Sequence, residues 1–256
     1  MALMRFAMLG SGSKGNGTLV DAGGVRVLVD CGFAVREVES RAQRLDFDLH
    51  SLDAILVTHE HGDHLGGVAR LARAYELPVY LTRGSYQGWR DTQVDDIRFI
   101  TPHEPFHIGS LTVRPFPVPH DAKEPCQFAF EHAGKKLGVV SDLGAITQHI
   151  RYVLSDCDAL LLEANHDPAM LANGPYPQKL KDRVGGGLGH LSNRQAAGLI
   201  SSVQRARLQH LVLTHLSEQN NTPELARAAL CEALEQDPPW CVCAEQAGGL
   251  AWREIA

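Results

Sequence analysis

Residues 55–67, ILVTHEHGDHLGG, decide the fold of this chain. The stretch places four residues able to bind a metal within six positions, directly after four apolar ones: His59, His61, Asp63 and His64. In an extended segment His59 and His61 share one face, because side chains two residues apart point the same way. Gly62 then breaks the run, so the last two residues enter a helix and point elsewhere. Clustered imidazoles and a carboxylate at the end of a buried strand predict a bound metal.

The length and composition are those of a globular protein with a sizeable core. The 256 residues are 44% hydrophobic and 21% charged, which argues against disorder. No linker divides the chain, and we expect one domain over residues 1–256. The formal net charge of −6 argues mildly against non-specific nucleic-acid binding. Neither an export signal nor a membrane span is predicted, and six cysteines without such a signal favour reduced thiols in the cytoplasm.

Further metal ligands are expected where later apolar runs end. Three of these runs lead into a residue able to bind a metal: His120, Asp142 and His215. The two oxygens of Asp142 could bridge a metal pair. The runs ILVTH (55–59) and LVLTH (211–215) echo each other, since both end in Thr-His. Each of the three residues alone is more typical of a structural or surface position, but their order and context favour a metal site.

The segment between Asn165 and Gly189 contains many Gly and Pro residues and has no clear period. We predict a loop of about 25 residues there, and loops of that length are usually functional or disordered. After it, Ser192 and Gln195 form the pattern of a capping box, which predicts the start of a helix.

The pattern H-x-H-x-D-H, followed by His, Asp and His at strand ends, resembles the dinuclear metallo-β-lactamase superfamily over nearly the whole chain. The resemblance implies the α/β class and a four-layer αββα sandwich. It also implies two divalent ions, zinc or manganese, and seven ligands: His59, His61 and His120 on one ion, Asp63, His64 and His215 on the other, and Asp142 between them. The superfamily hydrolyses lactams, thioesters, lactones and phosphodiesters, so the substrate stays open.

The stretch KLKDRVGGGLGHLSNRQAAGLI, residues 179–200, narrows the substrate. If the seven ligands fill both sites, His190 is left free to titrate, and an imidazole can protonate the leaving alkoxide of a phosphodiester. A histidine that only makes hydrogen bonds at a helix start is the alternative. The pattern is similar to the G-H-[ST] segment of tRNA 3′-processing nucleases, whose histidine acts near the scissile phosphate.

A wider set of segments resembles the YycJ/WalJ-like branch, regarded as bacterial 5′-to-3′ DNA exonucleases. The segments are SGSKGN, VLVDCG, HEHGDH, PHDAKEP, LLEANHD, LKDRV…GHLSN and LTHLSEQNN. We expect no room for the extra domain of RNase J and polyadenylation-type nucleases and no tRNA-gripping arm. DNA is therefore the expected substrate rather than long RNA or tRNA.

Two groups of residues are candidates for binding the substrate. The loop GSGSKGNG (10–17) supplies three of them, although it lacks the ending of a nucleotide P-loop and a tight turn is its default interpretation: Ser11, Ser13 and Asn16. The basic residues beside His190 are candidates for phosphate contacts, with a solvated charged loop as the alternative: Lys179, Lys181 and Arg183. A third group is predicted to support the metal ligands: Asp30, Glu163 and His166.

The sequence thus predicts a two-metal phosphodiesterase. We expect a metal-bridging hydroxide as nucleophile, with Asp63 orienting it and His190 acting as general acid. Two alternatives stay open. One is a small-molecule hydrolase of the same fold, acting on a thioester or lactone, which the acidic net charge suits. The other is a metal-stabilised interaction protein without turnover.

Overall fold

The computed structural model describes residues 4–256. In this structure the chain divides into two compact units. Unit 1 contains the chain up to Pro117 together with Ala122–Lys135 and Glu245–Ala256. Unit 2 contains Val118–Asp121 and Lys136–Ala244.

A mixed seven-stranded sheet is the main element of unit 1. Its strands run in the order β14-β1-β2-β3-β4-β5-β6. The first three strands and β14 pair antiparallel, whereas β3 to β6 pair parallel. The bounds of these strands are β1 Met4–Gly10, β2 Gly17–Ala22, β3 Val25–Val29, β4 Ala54–Leu56, β5 Val79–Leu81, β6 Ile97–Phe99 and β14 Leu250–Ile255.

The remaining strands of unit 1 form an antiparallel array in which β8 lies between β7 and β9. Their bounds are β7 Phe106–Ile108, β8 Leu111–Pro117 and β9 Cys126–His132. The helices of this unit are α1 Val35–Arg44, α2 Gly62–Leu65, α3 Val68–Tyr75 and α4 Arg83–Gly88, with a 3₁₀ turn at Leu49–Ser51. Helix α3 packs its apolar face against the core of the unit, where Val68 and Leu71 are fully buried.

Gly23 and Gly24 form the turn that links β2 to β3. Ala22 pairs with Val25 across the ladder, so these two glycines form the whole loop. Their φ angles of 61° and 87° lie in the left-handed region that a right-twisted two-residue hairpin requires.

Four parallel strands form the centre of unit 2, in the order β13-β12-β11-β10. Their bounds are β10 Lys135–Val140, β11 Ala159–Glu163, β12 His210–Thr214 and β13 Cys241–Cys243. Strands β10 to β12 are almost continuously apolar and buried, as expected for parallel strands covered on both faces. The helices of the unit are α5 Gln148–Leu154, α6 Pro168–Asn173, α7 Gln178–Val184, α8 Asn193–Ser202 and α9 Pro223–Leu234.

The capping box predicted at Ser192 is confirmed. The Ser192 side chain accepts from the backbone N–H of Gln195, and the Gln195 side chain accepts from the backbone N–H of Ser192. These two bonds satisfy N–H groups at the start of α8 that have no partner within the helix.

The prediction of a loop of about 25 residues after Asn165 was wrong, because the segment contains helices α6 and α7. Asp167 caps α6 by accepting from two backbone N–H groups, and Pro168 occupies its first turn. Only Leu171 of α6 and no residue of α7 is buried. Such short helices with little buried surface leave no apolar period in the sequence.

None of the helices within residues 4–256 is both long and apolar enough to cross a membrane. The six cysteines all lie in this described part of the chain, and none forms a disulfide.

Candidate metal centre and the residues that orient it

The H-x-H pair of unit 1 lies in the loop between β4 and α2. His59 is fully buried, and its Nε2 atom lies 3.0 Å from Nδ1 of His61. The two rings stand nearly perpendicular, with an interplanar angle of 80°. Two lone pairs at that distance repel unless a proton or a cation lies between them, so the pair fits a metal ligand set.

Asp63 and His64 follow at the start of α2. The His64 Nε2 atom lies 3.5 Å from Oδ2 of Asp63. The amide nitrogen of Asn16 lies 3.1 Å from His64 Nε2 and 3.4 Å from Asp63 Oδ2, while its amide oxygen accepts from the Gly12 N–H. Asn16, a candidate for the substrate cleft, therefore contacts two of the candidate ligands in unit 1.

Asp30 and Thr58 fix the ring nitrogens of the two buried histidines in unit 1. Asp30 accepts from the backbone N–H of Thr58, from its hydroxyl and from His64 Nδ1, each at 2.8 Å. Because the Thr58 hydroxyl donates its proton to Asp30, the same hydroxyl oxygen accepts from His59 Nδ1 at 2.9 Å. Both histidines thus carry their proton on Nδ1 and their lone pair on Nε2, which is the tautomer that could bind a metal through Nε2.

The backbone of Asp30 has a φ of 61°, a left-handed conformation that is unfavourable for a residue with a side chain. Its side chain is nearly inaccessible and satisfies three donors at once. Backbone strain of this kind concentrates at functional sites. Thr58 was missed by the sequence analysis, and the repeated Thr-His pair at the ends of two strands was the only signal for it.

In unit 2, His120 is held by the loop that precedes His190. Its Nδ1 lies 3.0 Å from the carbonyl oxygen of Gly189, so the proton is on Nδ1 and the lone pair on Nε2. Burial lowers the pKa of His120 against the opposing effect of Asp142 and so favours the neutral imidazole that binds metals. The Nε2 atom lies 3.8 Å from Oδ2 of Asp142.

The carboxyl ends of three neighbouring parallel strands bring the other residues of unit 2 together. Asp142 follows β10, Glu163 ends β11 and His215 follows β12. Their donor atoms and one of His190 all lie within 4.8 Å of one another. Parallel strands present their carboxyl ends at one edge of the sheet, which explains why residues so far apart in sequence meet there.

His215 is fixed by both its ring and its backbone. Its Nδ1 atom lies 3.0 Å from Asp142 Oδ1 and 3.3 Å from Glu163 Oε1. The Asn165 amide donates to the His215 carbonyl at 2.8 Å, and His215 has a positive φ of 53°. Asn165 is a second supporting residue that the sequence analysis missed, and no pattern in the sequence indicated it.

His190 has a side chain that is 18% exposed, whereas Glu163 beside it is fully buried. The His190 Nδ1 atom lies 2.7 Å from Glu163 Oε1 and 3.4 Å from Asp142 Oδ1. Burial lowers the pKa of His190, but the negative charges of Glu163 and Asp142 outweigh it and raise that pKa to about 9. Glu163 Oε2 accepts from the Leu143 and Leu191 N–H groups, so this carboxylate is fixed in place.

The other predicted site residues differ in their exposure to solvent. Ser11 is buried, and Ser13 is exposed. Lys179 and Arg183 are exposed on α7, where Arg183 pairs with Asp121 at 2.6 Å. Lys181, also on α7, donates to the Ala172 carbonyl. His166 is buried, and its backbone carbonyl accepts from Asn193 at the start of α8.

Comparisons with known proteins cover most of the chain. Residues 25–216 match the family model described as the β-lactamase superfamily domain. The chain is 33% identical over 237 residues to the exodeoxyribonuclease YycJ of Bacillus anthracis, an alignment that covers 91% of this chain and 90% of that protein. It is 32% identical over 238 residues to the exodeoxyribonuclease WalJ of Streptococcus pneumoniae D39, covering 91% and 88%.

The solved structures agree on the fold. The metallo-β-lactamase fold protein YhfI of Bacillus subtilis matches with a TM-score of 0.77 at 19% identity, covering 98% of this chain and 99% of that one. The predicted metallo-β-lactamase fold is thereby confirmed.

Proposed function

The chain belongs to the YycJ/WalJ-like branch of the metallo-β-lactamase superfamily and is a metal-dependent hydrolase, and from this premise we propose that it is a DNA exonuclease acting in the 5′-to-3′ direction. The two relatives described above, YycJ and WalJ, are both named exodeoxyribonucleases and support DNA as the substrate class. The direction rests on the resemblance of the sequence to this branch. The substrate partner is therefore DNA, and we propose a cytoplasmic location.

We propose that seven side chains hold two divalent ions, zinc or manganese. His59, His61 and His120 hold one ion, Asp63, His64 and His215 hold the other, and Asp142 is shared. The donor chemistry supports this assignment, because the contacts of Asp30, Thr58 and Gly189 put the proton of three of these histidines on Nδ1 and the lone pair on Nε2. Imidazole and carboxylate suit both metals. When bound, the ions supply Lewis-acid stabilisation of the phosphate and an acidified water as nucleophile.

The contact between His190 and Glu163 is the observation that carries the proposed chemistry. Glu163 accepts from Nδ1 of His190 and holds it at 2.7 Å, which directs the opposite ring nitrogen away from this carboxylate. The ring stacks on His215 with centroids 5.2 Å apart, so it cannot turn freely. A fixed, partly exposed imidazolium is suited to donate a proton to the leaving 3′ oxygen of a phosphodiester.

Asp63 has a second proposed role, which is to orient the attacking water while it binds its ion. Its side chain is partly exposed, at 22%, and its backbone oxygen accepts from the Asn16 N–H at 2.8 Å. The main chain of this residue is therefore fixed, while its carboxylate keeps an exposed edge.

An assay with labelled DNA tests the proposed function. Purified protein of measured metal content is incubated with single-stranded and duplex DNA labelled at either end, and in parallel with a thioester and a lactone. We expect mononucleotides to be released from the 5′ end, release to stop on chelation and to return with added metal. Hydrolysis of the thioester or lactone alone would favour the small-molecule alternative, which the net charge of −6 suits.

A further inference from the structure

A pocket of about 420 Å³ lies in unit 1 beside the metal-binding motif. Two of its lining residues, Glu60 and Gly62, alternate in sequence with His59, His61 and Asp63. Consecutive Cα atoms are about 3.8 Å apart, so the pocket wall and the proposed metal ligands share one short piece of backbone. The proposed chemistry makes no use of this pocket.

The floor of the pocket is apolar. Leu65, Ala69 and Trp89 line it, and each is less than a tenth exposed. Gly62 and Gly66 are exposed beside them and add no side chain that would narrow the opening. The floor therefore offers apolar side chains, including an indole, on which an aromatic ligand can pack.

Two arginines stand at the edge of this floor. Arg70 lies one residue after Ala69, Arg90 lies one residue after Trp89, and both are exposed. Within residues 4–256, neither guanidinium takes part in an ion pair. The pocket thus combines an apolar floor with two exposed guanidinium groups, and the charge of Arg70 contributes to lowering the pKa of the nearby Asp91 carboxyl.

The acidic residues of the pocket are already engaged. Asp91 forms a two-bond ion pair with Arg73, with both N–O distances at 2.9 Å. Glu60 Oε1 accepts from the backbone N–H of Lys123 at 2.8 Å. Because Arg73 balances the charge of Asp91, Glu60 is the one remaining carboxylate among the lining residues, against two guanidinium groups. The net charge of this lining is therefore positive, which favours an anionic ligand.

We propose that this pocket binds one nucleotide of the DNA strand that enters the metal centre. The base packs on Leu65, Ala69 and Trp89, and the phosphate binds Arg70 and Arg90. The volume lies in the range typical of small-molecule sites. Proteins commonly bind single-stranded DNA without sequence preference by stacking its bases on aromatic side chains and contacting its phosphates with basic residues. This assignment rests on the proposed function, because it takes the substrate to be DNA.

Binding is measured by tryptophan fluorescence, a readout that does not depend on turnover. Chelator-treated full-length protein is titrated with a single-stranded DNA tetranucleotide and, separately, with deoxyadenosine 5′-monophosphate. We expect a saturable change with the tetranucleotide in the wild type and in Trp240→Phe, and its loss in Trp89→Phe. Arg70→Ala and Arg90→Ala should each weaken binding about tenfold. Arg36→Ala, which removes an exposed arginine from α1, should not.

Four results would overturn the assignment of this pocket. If Trp89→Phe kept the fluorescence change on DNA addition, the DNA would bind elsewhere. If Arg90→Ala and Arg36→Ala bound DNA with equal affinity, Arg90 would not contact the phosphate. Binding of the mononucleotide but not of the tetranucleotide would identify a site for a free nucleotide instead. Normal DNA hydrolysis by the arginine variants would show that this pocket does not bind the substrate, and it would leave the proposed function intact. No DNA hydrolysis by the metal-loaded wild type would reject the proposed function itself.

Discussion

Nδ1 of His64 lies 2.8 Å from Oδ2 of Asp30, and both side chains are almost completely buried. The carboxylate keeps the proton of His64 on Nδ1, leaves Nε2 as the nitrogen that would face the proposed ion, and raises the basicity of the ring. Because Asp30 also holds Thr58, and Thr58 holds His59, one carboxylate orients two candidate ligands.

The first prediction concerns this carboxylate. Asp30→Asn should lower metal affinity about 10- to 100-fold, because the amide cannot accept from Thr58 and His64 as the carboxylate does. Metal affinity is measured by competition with a chromogenic chelator. Asp53→Asn is the matched control, since exposed Asp53 also accepts from a backbone N–H in unit 1. Equal affinities in the two variants would contradict the orienting role of Asp30.

The second prediction separates catalysis from metal binding at His190. His190→Ala should lower kcat on DNA by about 10²–10⁴ and leave the metal content of the purified protein unchanged. Elemental analysis beside single-turnover assays measures the two quantities, and His107→Ala serves as an exposed-histidine control. If the variant lost its metal, His190 would be a ligand and the proton-donor role would be wrong.

The third prediction follows from the raised pKa of His190. Glu163→Gln removes the charge that contributes most to raising that pKa, so the pKa should fall. A general acid must be protonated to act, and a lower pKa means that the proton is lost at lower pH. The alkaline limb of the kcat profile should therefore move to lower pH. A limb that stays in place would show that another group donates the proton.

The fourth prediction concerns stability near the same histidine. Ser192→Ala should lower the free energy of unfolding by about 1 kcal/mol, because the N–H of Gln195 loses its partner at the start of α8. Ser192→Thr should restore most of the loss. Ser201→Ala, at the exposed end of the same helix, is the control. Urea unfolding measures all three, and equal losses for the two alanine variants would argue against the cap.

The sequence predicted the parts of this molecule that depend on local pattern. The alternation of His59 and His61 after an apolar run and the cap at Ser192 each involve residues a few positions apart. Such relationships are fixed by local backbone geometry and can therefore be predicted from the sequence alone.

The contacts that sequence reasoning could not supply join distant residues. Glu163 was predicted only as a supporting residue, and its contact with His190 spans 27 positions. The contact of His120 with Gly189 spans 69 positions. No spacing rule reaches that far, because the approach depends on which parallel strands are neighbours in the sheet.

The hydrogen bond from His120 to the Gly189 carbonyl has a consequence for binding, since His190 is the very next residue. A ligand that immobilises the ring of His120 therefore also restricts the position of His190. A ligand that orders His190 restricts His120 in return. An ion captured by His120 and a strand held at His190 should then reinforce each other, and cooperativity of this kind is reciprocal by thermodynamic necessity.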